Sequence, residues 1–364
     1  MAEFQIRRDD LTTIRVVDTG NSEQDFTLDE GEILVKIEHF AFTANNITYG
    51  AVGDQIGYWK FFPPSDDNGE IWGILPVWGF ADVVSSSSEE IPVGERLYGY
   101  FPTSHYLKLK PAMVKGETFF DASEHRSTLP PGYNMYRRVR AEKTYDPSME
   151  HERSLLFPLH LTSFCIWDAL QDANWHGVEQ ILILSASSKT SIGLAYALAE
   201  DDNAPSIIGV TSNRNCEYVE NLKLYNGTVS YDDLSSIEDI PTVIVDMSGN
   251  KQLLASLHNQ LGDNMKYTIN VGMTHWEDFQ NDAEGIIANR SEFFFAPGHI
   301  QKRIADWGPA EFNKRSGTFM YKAALKSKDW LSCTVANGLE SLQEHFKDVS
   351  KGNFAPDQGL IIKL

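Results

Sequence analysis

Hydrophobic and polar positions follow two regimes along the chain. Over the first 110 residues they alternate in short runs: GEILVKIEHFAF (31–42), WGILPVWGFADVVSSS (72–87), RLYGYF (96–101) and YLKLK (106–110). Such alternation, with β-branched residues and Gly or Pro turns between runs, predicts an irregular β-barrel. Residues 111–150, which include LPPGYNMYRRVRAEKTYDP, carry little periodicity and read as an insert, functional or poorly ordered. From about residue 155 the pattern changes. Continuous apolar runs at ILILS (181–185), SIIGV (206–210), TVIVDM (242–247), YTINVG (267–272) and SEFFFAP (291–297) fit strands covered on both faces. Helical spacing falls between them, over 190–200, 215–224 and 251–261. Repeated strand–helix units predict a parallel, doubly wound sheet with right-handed crossovers. After Pro297 the pattern is helical, then comes a strand-like WLSCTV, a helix through LESLQEHFKD and a final apolar LIIKL.

A length of 364 residues suits two domains, and 42% hydrophobic residues suffice for their cores. The net charge of −20 argues against a nucleic-acid or anionic-membrane surface, both of which need a basic footprint. There is no apolar run long enough to span a bilayer, and MAEFQIRRDD is not a signal peptide. Cys165, Cys216 and Cys333 are an odd number without a CxxC pair, which excludes a disulfide framework and a four-cysteine zinc site. The expectation is a soluble, cytoplasmic protein acting on a small molecule, with no nucleic-acid or membrane partner.

The richest segment is ILILSASSKTSIGLAYALAE, a buried strand, a loop of small residues Ser185–Ser188 and a helix. Ser187, Ser188, Lys189 and Thr190 would meet a pyrophosphate at the positive end of that helix. The GxGxxG pattern is absent, with only Gly193 left, so a ligand-free strand-to-helix turn is the other reading. At the end of the next strand stands GVTSNRN (209–215). Thr211, Ser212 and Arg214 take the place of the carboxylate that binds an unphosphorylated ribose, and they suit a 2′-phosphate; the alternative is a solvated loop. Together these residues favour NADPH over NADH. Tyr231, after GTVSY, is placed to stack on adenine; Gly249 follows the fourth strand, and Gly272, Met273 and Thr274 follow the fifth, where a nicotinamide would lie.

Three stretches carry a family resemblance: GEILVKIEHFAFTANNITYG, VGERLYG (93–99) and LTSFCIWDALQDANWHGVEQILILSASSKTSIGLAYALA. They resemble, in turn, the opening strand with its Asn-x-x-Asp loop, the Gly-Asp-Arg-Val-Tyr-Gly turn and the Ala-x-Gly-Gly-Val-Gly segment of the medium-chain dehydrogenase/reductase superfamily, in particular its zinc-free quinone and enoyl reductases. The resemblance implies an α/β protein with a GroES-like irregular β-barrel domain over 1–154 (including the 111–150 insert), a Rossmann-like NADPH-binding domain over 155–300 and a return segment over 301–364. It also implies reduction of an activated C=C or carbonyl, and a homodimer through the cofactor-domain sheet edge. The alternative is an NADPH-binding sensor or assembly protein without turnover.

Family members with catalytic zinc use Cys, His and a carboxylate. Here the AFTANNITYG loop has no cysteine, Glu38-His39 and Cys165 do not converge in a recognisable spacing, and His275-x-Glu277 lacks a following Pro-Cys-x-x-Cys, so no metal is expected. The resemblance places NNITYGAVGDQIGYW (45–59) against the cofactor. Within it Tyr49 is expected to donate to a developing oxyanion, with Asn46 as the competing donor and Tyr58 and Trp59 beside the substrate. Arg126, Tyr136 and Arg137 of the insert would hold an anionic or acyl-linked substrate. Packing at a domain junction, or a solvated arm, accounts for these residues equally.

Overall fold

The computed structural model describes residues 1–66, 71–271 and 285–364. The chain forms two compact units, Met1–Leu155 with Leu331–Leu364, and Leu156–Trp330.

In the first unit, strands β1 (Ala2–Arg7), β2 (Ile14–Asp18) and β3 (Ile33–Phe42) lead into helices α1 (Ala44–Ala51) and α2 (Gly53–Ile56). There follow β4 (Trp72–Gly73), β5 (Pro76–Ser86), β6 (Arg96–Pro102), β7 (Tyr106–Leu109), β8 (Pro111–Lys115), β9 (Thr118–Asp121) and β10 (Met135–Arg138). The segment 45–59, expected as a loop, is therefore largely helical, because Thr43 and Asn46 close a reciprocal cap at the start of α1. The supposed insert is also structured: β10 pairs antiparallel with β6 and with β9, so 111–150 extends the main sheet. Phe40, Phe101, Phe119 and Tyr136 lie fully buried in one core, which joins this extension to the opening strands.

Helix α3 (Glu150–Asp172) leads to the second unit, whose strands are β11 (Gln180–Leu184), β12 (Ser206–Thr211), β13 (Gly227–Ser230), β14 (Thr242–Asp246), β15 (Met265–Asn270) and β16 (Ser291–Phe293). Its later helices are α4 (Lys189–Ala199), α5 (Cys216–Asn221), α6 (Lys251–Leu261), α7 (Ala296–Trp307) and α8 (Pro309–Ser327). The strands pair parallel in the order β13-β12-β11-β14-β15-β16, a doubly wound sheet whose direction of winding reverses between β11 and β14. Every residue of β11 and β14 is buried, as the unbroken apolar runs predict. Helices α7 and α8 belong to this unit, so the return begins at Leu331 instead of 301. It consists of β17 (Ser332–Asn337), α9 (Gly338–Ser350) and β18 (Gln358–Lys363), and β18 lies between β17 and β3 in the first unit's large sheet.

Candidate nucleotide site and the tyrosine cluster

β11 ends in the loop 185–188, and four side chains from elsewhere in the unit hold that loop. The Ser185 N–H donates to the Tyr231 hydroxyl at 3.0 Å, and the Tyr225 hydroxyl donates to the Ala186 carbonyl at 2.8 Å. Ser187 Oγ accepts from Asn215 Nδ2 at 3.0 Å and from Thr211 Oγ1 at 3.4 Å. Ser188 caps α4, accepting from the Ser191 N–H at 3.2 Å, so Lys189 and Thr190 open the helix with the backbone donors that an anion would meet. Gly193 serves packing instead of phosphate: a Cβ there would lie 2.5 Å from His160 and 2.7 Å from Ser163 of α3.

Beside the loop, Thr211 is buried, Ser212 half-buried and Arg214 exposed. No carboxylate pairs with Arg214 among the described residues. Tyr231 commits its hydroxyl to the Ser185 N–H, which makes it a brace of the loop. One expectation in this unit needs correction. Gly249 has φ +63°, and its N–H donates to Asp246 at 3.2 Å, so it shapes the turn before α6 and does not offer its amide to a ligand. Burial raises the Asp246 carboxyl above the usual carboxylate range. Gly272, Met273 and Thr274, together with His275 and Glu277, lie outside the described residues.

In the first unit, Tyr49, Tyr58, Tyr100 and Tyr133 form an aromatic cluster. The Tyr49 ring lies 4.7 Å from that of Tyr58, and its hydroxyl accepts from Trp78 Nε1 at 3.4 Å. Tyr58 and Tyr133 share a hydroxyl–hydroxyl hydrogen bond of 2.8 Å. Burial raises the Tyr49 and Tyr58 hydroxyls well above the ordinary phenol value, so both stay protonated. Asn46, in contrast, is tied into the fold through both ends of its amide. Its Oδ1 accepts from the Thr43 N–H at 2.8 Å, its Nδ2 donates to the Pro76 carbonyl at 2.8 Å, and it is buried.

The other substrate candidates are also drawn into the fold. Trp59 lies against Gly53 and Gly73, where an added Cβ would come within 2.2 and 2.3 Å of its ring. Arg126 is 0% exposed, pairs with the equally buried Asp121 at 2.6 Å and stacks over Phe62. Tyr136 donates to the Tyr100 carbonyl at 2.7 Å and packs on Gly99. Arg137 is bound to Glu142 and reaches Glu117 at 3.4 Å. A core position for Trp59, Arg126 and Tyr136, and an ion-pair network for Arg137, replace the expected substrate contacts.

Glu38 and His39 do meet a third potential metal ligand, Glu150 at the start of α3; their ligand atoms lie within 4.8 Å of one another. The sequence spacing hid this, because the two halves come from β3 and a helix more than a hundred residues later. Arg96 stands among them. Its guanidinium donates to Glu150 at 2.7 and 2.5 Å, to Asp82 at 2.7 Å and to Glu38. A cation there would have to displace a bound guanidinium, so the donor set fits an ion-pair node better than a metal.

Asn215 and Tyr225 are the functional candidates that sequence reading missed. Asn215 lies within the GVTSNRN segment, but an amide gave no phosphate signal of its own, and Tyr225 precedes β13 as an ordinary loop aromatic.

No curated protein matches the chain in sequence. Solved structures match over its full length. CurA from Vibrio vulnificus in complex with NADPH is 10% identical at a TM-score of 0.61, with 100% of this chain and 99% of that one covered. Galactitol-1-phosphate dehydrogenase from Escherichia coli is 11% identical at 0.55, with both chains covered completely. The yhdH oxidoreductase from Salmonella enterica in complex with NADP is 13% identical at 0.52, again covering both chains completely. The shared fold is the GroES-like and Rossmann-like pairing of the medium-chain superfamily, as the resemblance implied. A family model matches residues 40–355, and the chain therefore belongs to the family described as protein of unknown function (DUF2855).

Proposed function

We propose that the chain is an NADPH-dependent oxidoreductase that reduces an activated C=C or carbonyl, as in a quinone, enone or enoyl compound, without zinc. The observation that carries this reading is Arg214, which no carboxylate pairs among the described residues, beside Ser212 at the end of β12 and next to the braced N-terminus of α4. A dinucleotide lacking the 2′-phosphate would call for a carboxylate there. When bound, NADPH supplies a hydride. Lys189, Thr190 and the Ser187 hydroxyl hold its pyrophosphate, while Arg214 and Ser212 hold its 2′-phosphate. The structures of CurA with NADPH and of yhdH with NADP, similar in fold, support this cofactor.

Tyr49 is the proposed hydrogen-bond donor to the oxyanion. One of its lone pairs takes the Trp78 N–H, which leaves the phenolic proton to donate, and burial keeps that proton in place at neutral pH. Zinc independence rests on Arg96, which fills the Glu38–His39–Glu150 cluster. The second reading, a sensor that binds NADPH without turnover, draws on the burial of Tyr49 and on the commitment of Asn46 to the α1 cap.

The test is a fluorescence titration with NADPH and NADH, followed by cofactor oxidation against a panel of quinones and enones. Preference for NADPH with turnover is the expected result. Equal affinity for the two cofactors removes the reading, and NADPH preference without turnover on any compound assigns the sensor.

A further inference from the structure

The loop 185–188 lacks the glycines that normally let a backbone close around a pyrophosphate. Ser185 nevertheless adopts φ +59°, a conformation that costs a non-glycine residue strain. What holds it there is the Tyr231 hydroxyl on its N–H, with Tyr225 fixing the next carbonyl.

The hydrogen bonds at Ser187 have a direction. A hydroxyl carries two lone pairs and one proton. The Asn215 amide and the Thr211 hydroxyl both donate to Ser187 Oγ, so both lone pairs are taken. The proton is left with no acceptor among the described residues, although Ser187 is only 7% exposed. A buried donor held open beside the positive end of α4 calls for an anionic oxygen.

We propose that Tyr231 and Asn215 are positioning residues that shape this glycine-poor loop for a pyrophosphate, and that the Ser187 hydroxyl is the donor they leave for it. The inference rests on the NADPH reading above. Side-chain hydrogen bonds here do what glycine freedom does in other loops of this kind, and the ligand meets a cradle that is already organised.

Two probes separate the loop from its neighbourhood: NADPH, which carries a pyrophosphate, and 2′-AMP, which carries only the 2′-phosphate. Ser187→Ala and Tyr231→Phe are each expected to raise the NADPH dissociation constant by roughly five- to tenfold, the size of one net hydrogen bond. The 2′-AMP constant should stay at its wild-type value in both. Asn215→Ala should weaken NADPH in the wild-type background and add nothing to Ser187→Ala, because its effect passes through that hydroxyl. Ser185→Gly should recover most of the loss in Tyr231→Phe, since glycine takes a positive φ without a brace. Wild-type NADPH affinity in Ser187→Ala and Tyr231→Phe overturns the inference and leaves the NADPH reading standing. Equal losses for NADPH and 2′-AMP overturn it too, as general damage to the unit. A wild-type protein that binds neither probe removes both.

Discussion

Arg214 stands exposed just beyond β12, and its worth is set by what it meets. Replacing it by Ala should remove a charge-assisted bond of about 1.5–3 kcal/mol to a 2′-phosphate, so NADPH affinity falls at least tenfold while NADH binding is unchanged. Parallel titrations with the two cofactors measure this; equal losses for both would assign Arg214 to general electrostatics. Arg126 is the opposite case. It is sealed from water with Asp121, so Arg126→Ala leaves a buried carboxylate alone and should destabilise the first unit by about 3–5 kcal/mol in a urea titration. The sequence marked both arginines as ligand-seeking. Composition sees charge and not its partner, and the Asp121 that neutralises Arg126 comes from a strand, β9, that periodicity did not reveal. The small residues of the phosphate loop were legible one by one, whereas their hydrogen-bond direction depends on Asn215, Tyr225 and Tyr231 arriving from other segments.

Elements with an unbroken apolar run or clean helical spacing were legible almost to the residue: β11, β12 and β14 by the first, α6 by the second. The strands over 111–138 were not. Their outward positions mix Lys115, Thr118 and Arg137 with apolar Met113, Phe120 and Met135, and their turns are irregular, so neither period shows; pairing with β6 and ion pairs such as Arg138–Glu95 at 2.7 Å hold them instead. The short helices after β3 escaped for a related reason, since they carry Gly50 and Gly53, both packed against the Trp59 ring, and glycine reads locally as loop. Gly73→Ala would put a methyl 2.3 Å from the Trp59 ring, with no flexible side chain to yield. The expected cost is about 1–3 kcal/mol from overpacking, read as a lower urea midpoint. A Gly73→Ala protein as stable as wild type would show that the ring can move.

Across the whole molecule, three buried histidines, His39, His160 and His258, set the response to acid. Burial pushes each imidazole down to about 4 from an ordinary 6.5. At His258 the Nδ1 also accepts from the Ile287 N–H at 3.0 Å, a bond that a proton there would break. As pH falls below 6.5 the unfolded chain takes up these protons first, so stability drops until about pH 4, by roughly 1.4 kcal/mol per pH unit for each histidine. The urea midpoint should therefore fall between pH 6.5 and 5, above the range where carboxylates titrate; a midpoint flat over that interval would contradict the assignment. The pairing of a β-barrel with a doubly wound parallel sheet was legible at this scale because it follows from the succession of strand types. The place where the chain turns back was not, since the pattern after Pro297 is helical and helical spacing does not say which unit a helix packs on.

β18 has a consequence for the order in which the protein is made. It is synthesised more than three hundred residues after β3, yet it sits between β17 and β3, with Ile361 facing Ala41 and Ile362 facing Phe40 across the ladder. Until β18 emerges, β3 is covered by β7 over Ile33–Lys36 but bare over His39–Phe42 on the same flank, and the opening unit cannot finish its sheet. Leu156–Trp330 is continuous in sequence and meets no such delay. Folding during translation should thus run against the usual amino-to-carboxyl sequence, with the unit Leu156–Trp330 complete first and the opening strands waiting for β18. A chain stalled before Gln358 should show a protease-resistant central fragment and a digestible start, and release of the full chain should protect both.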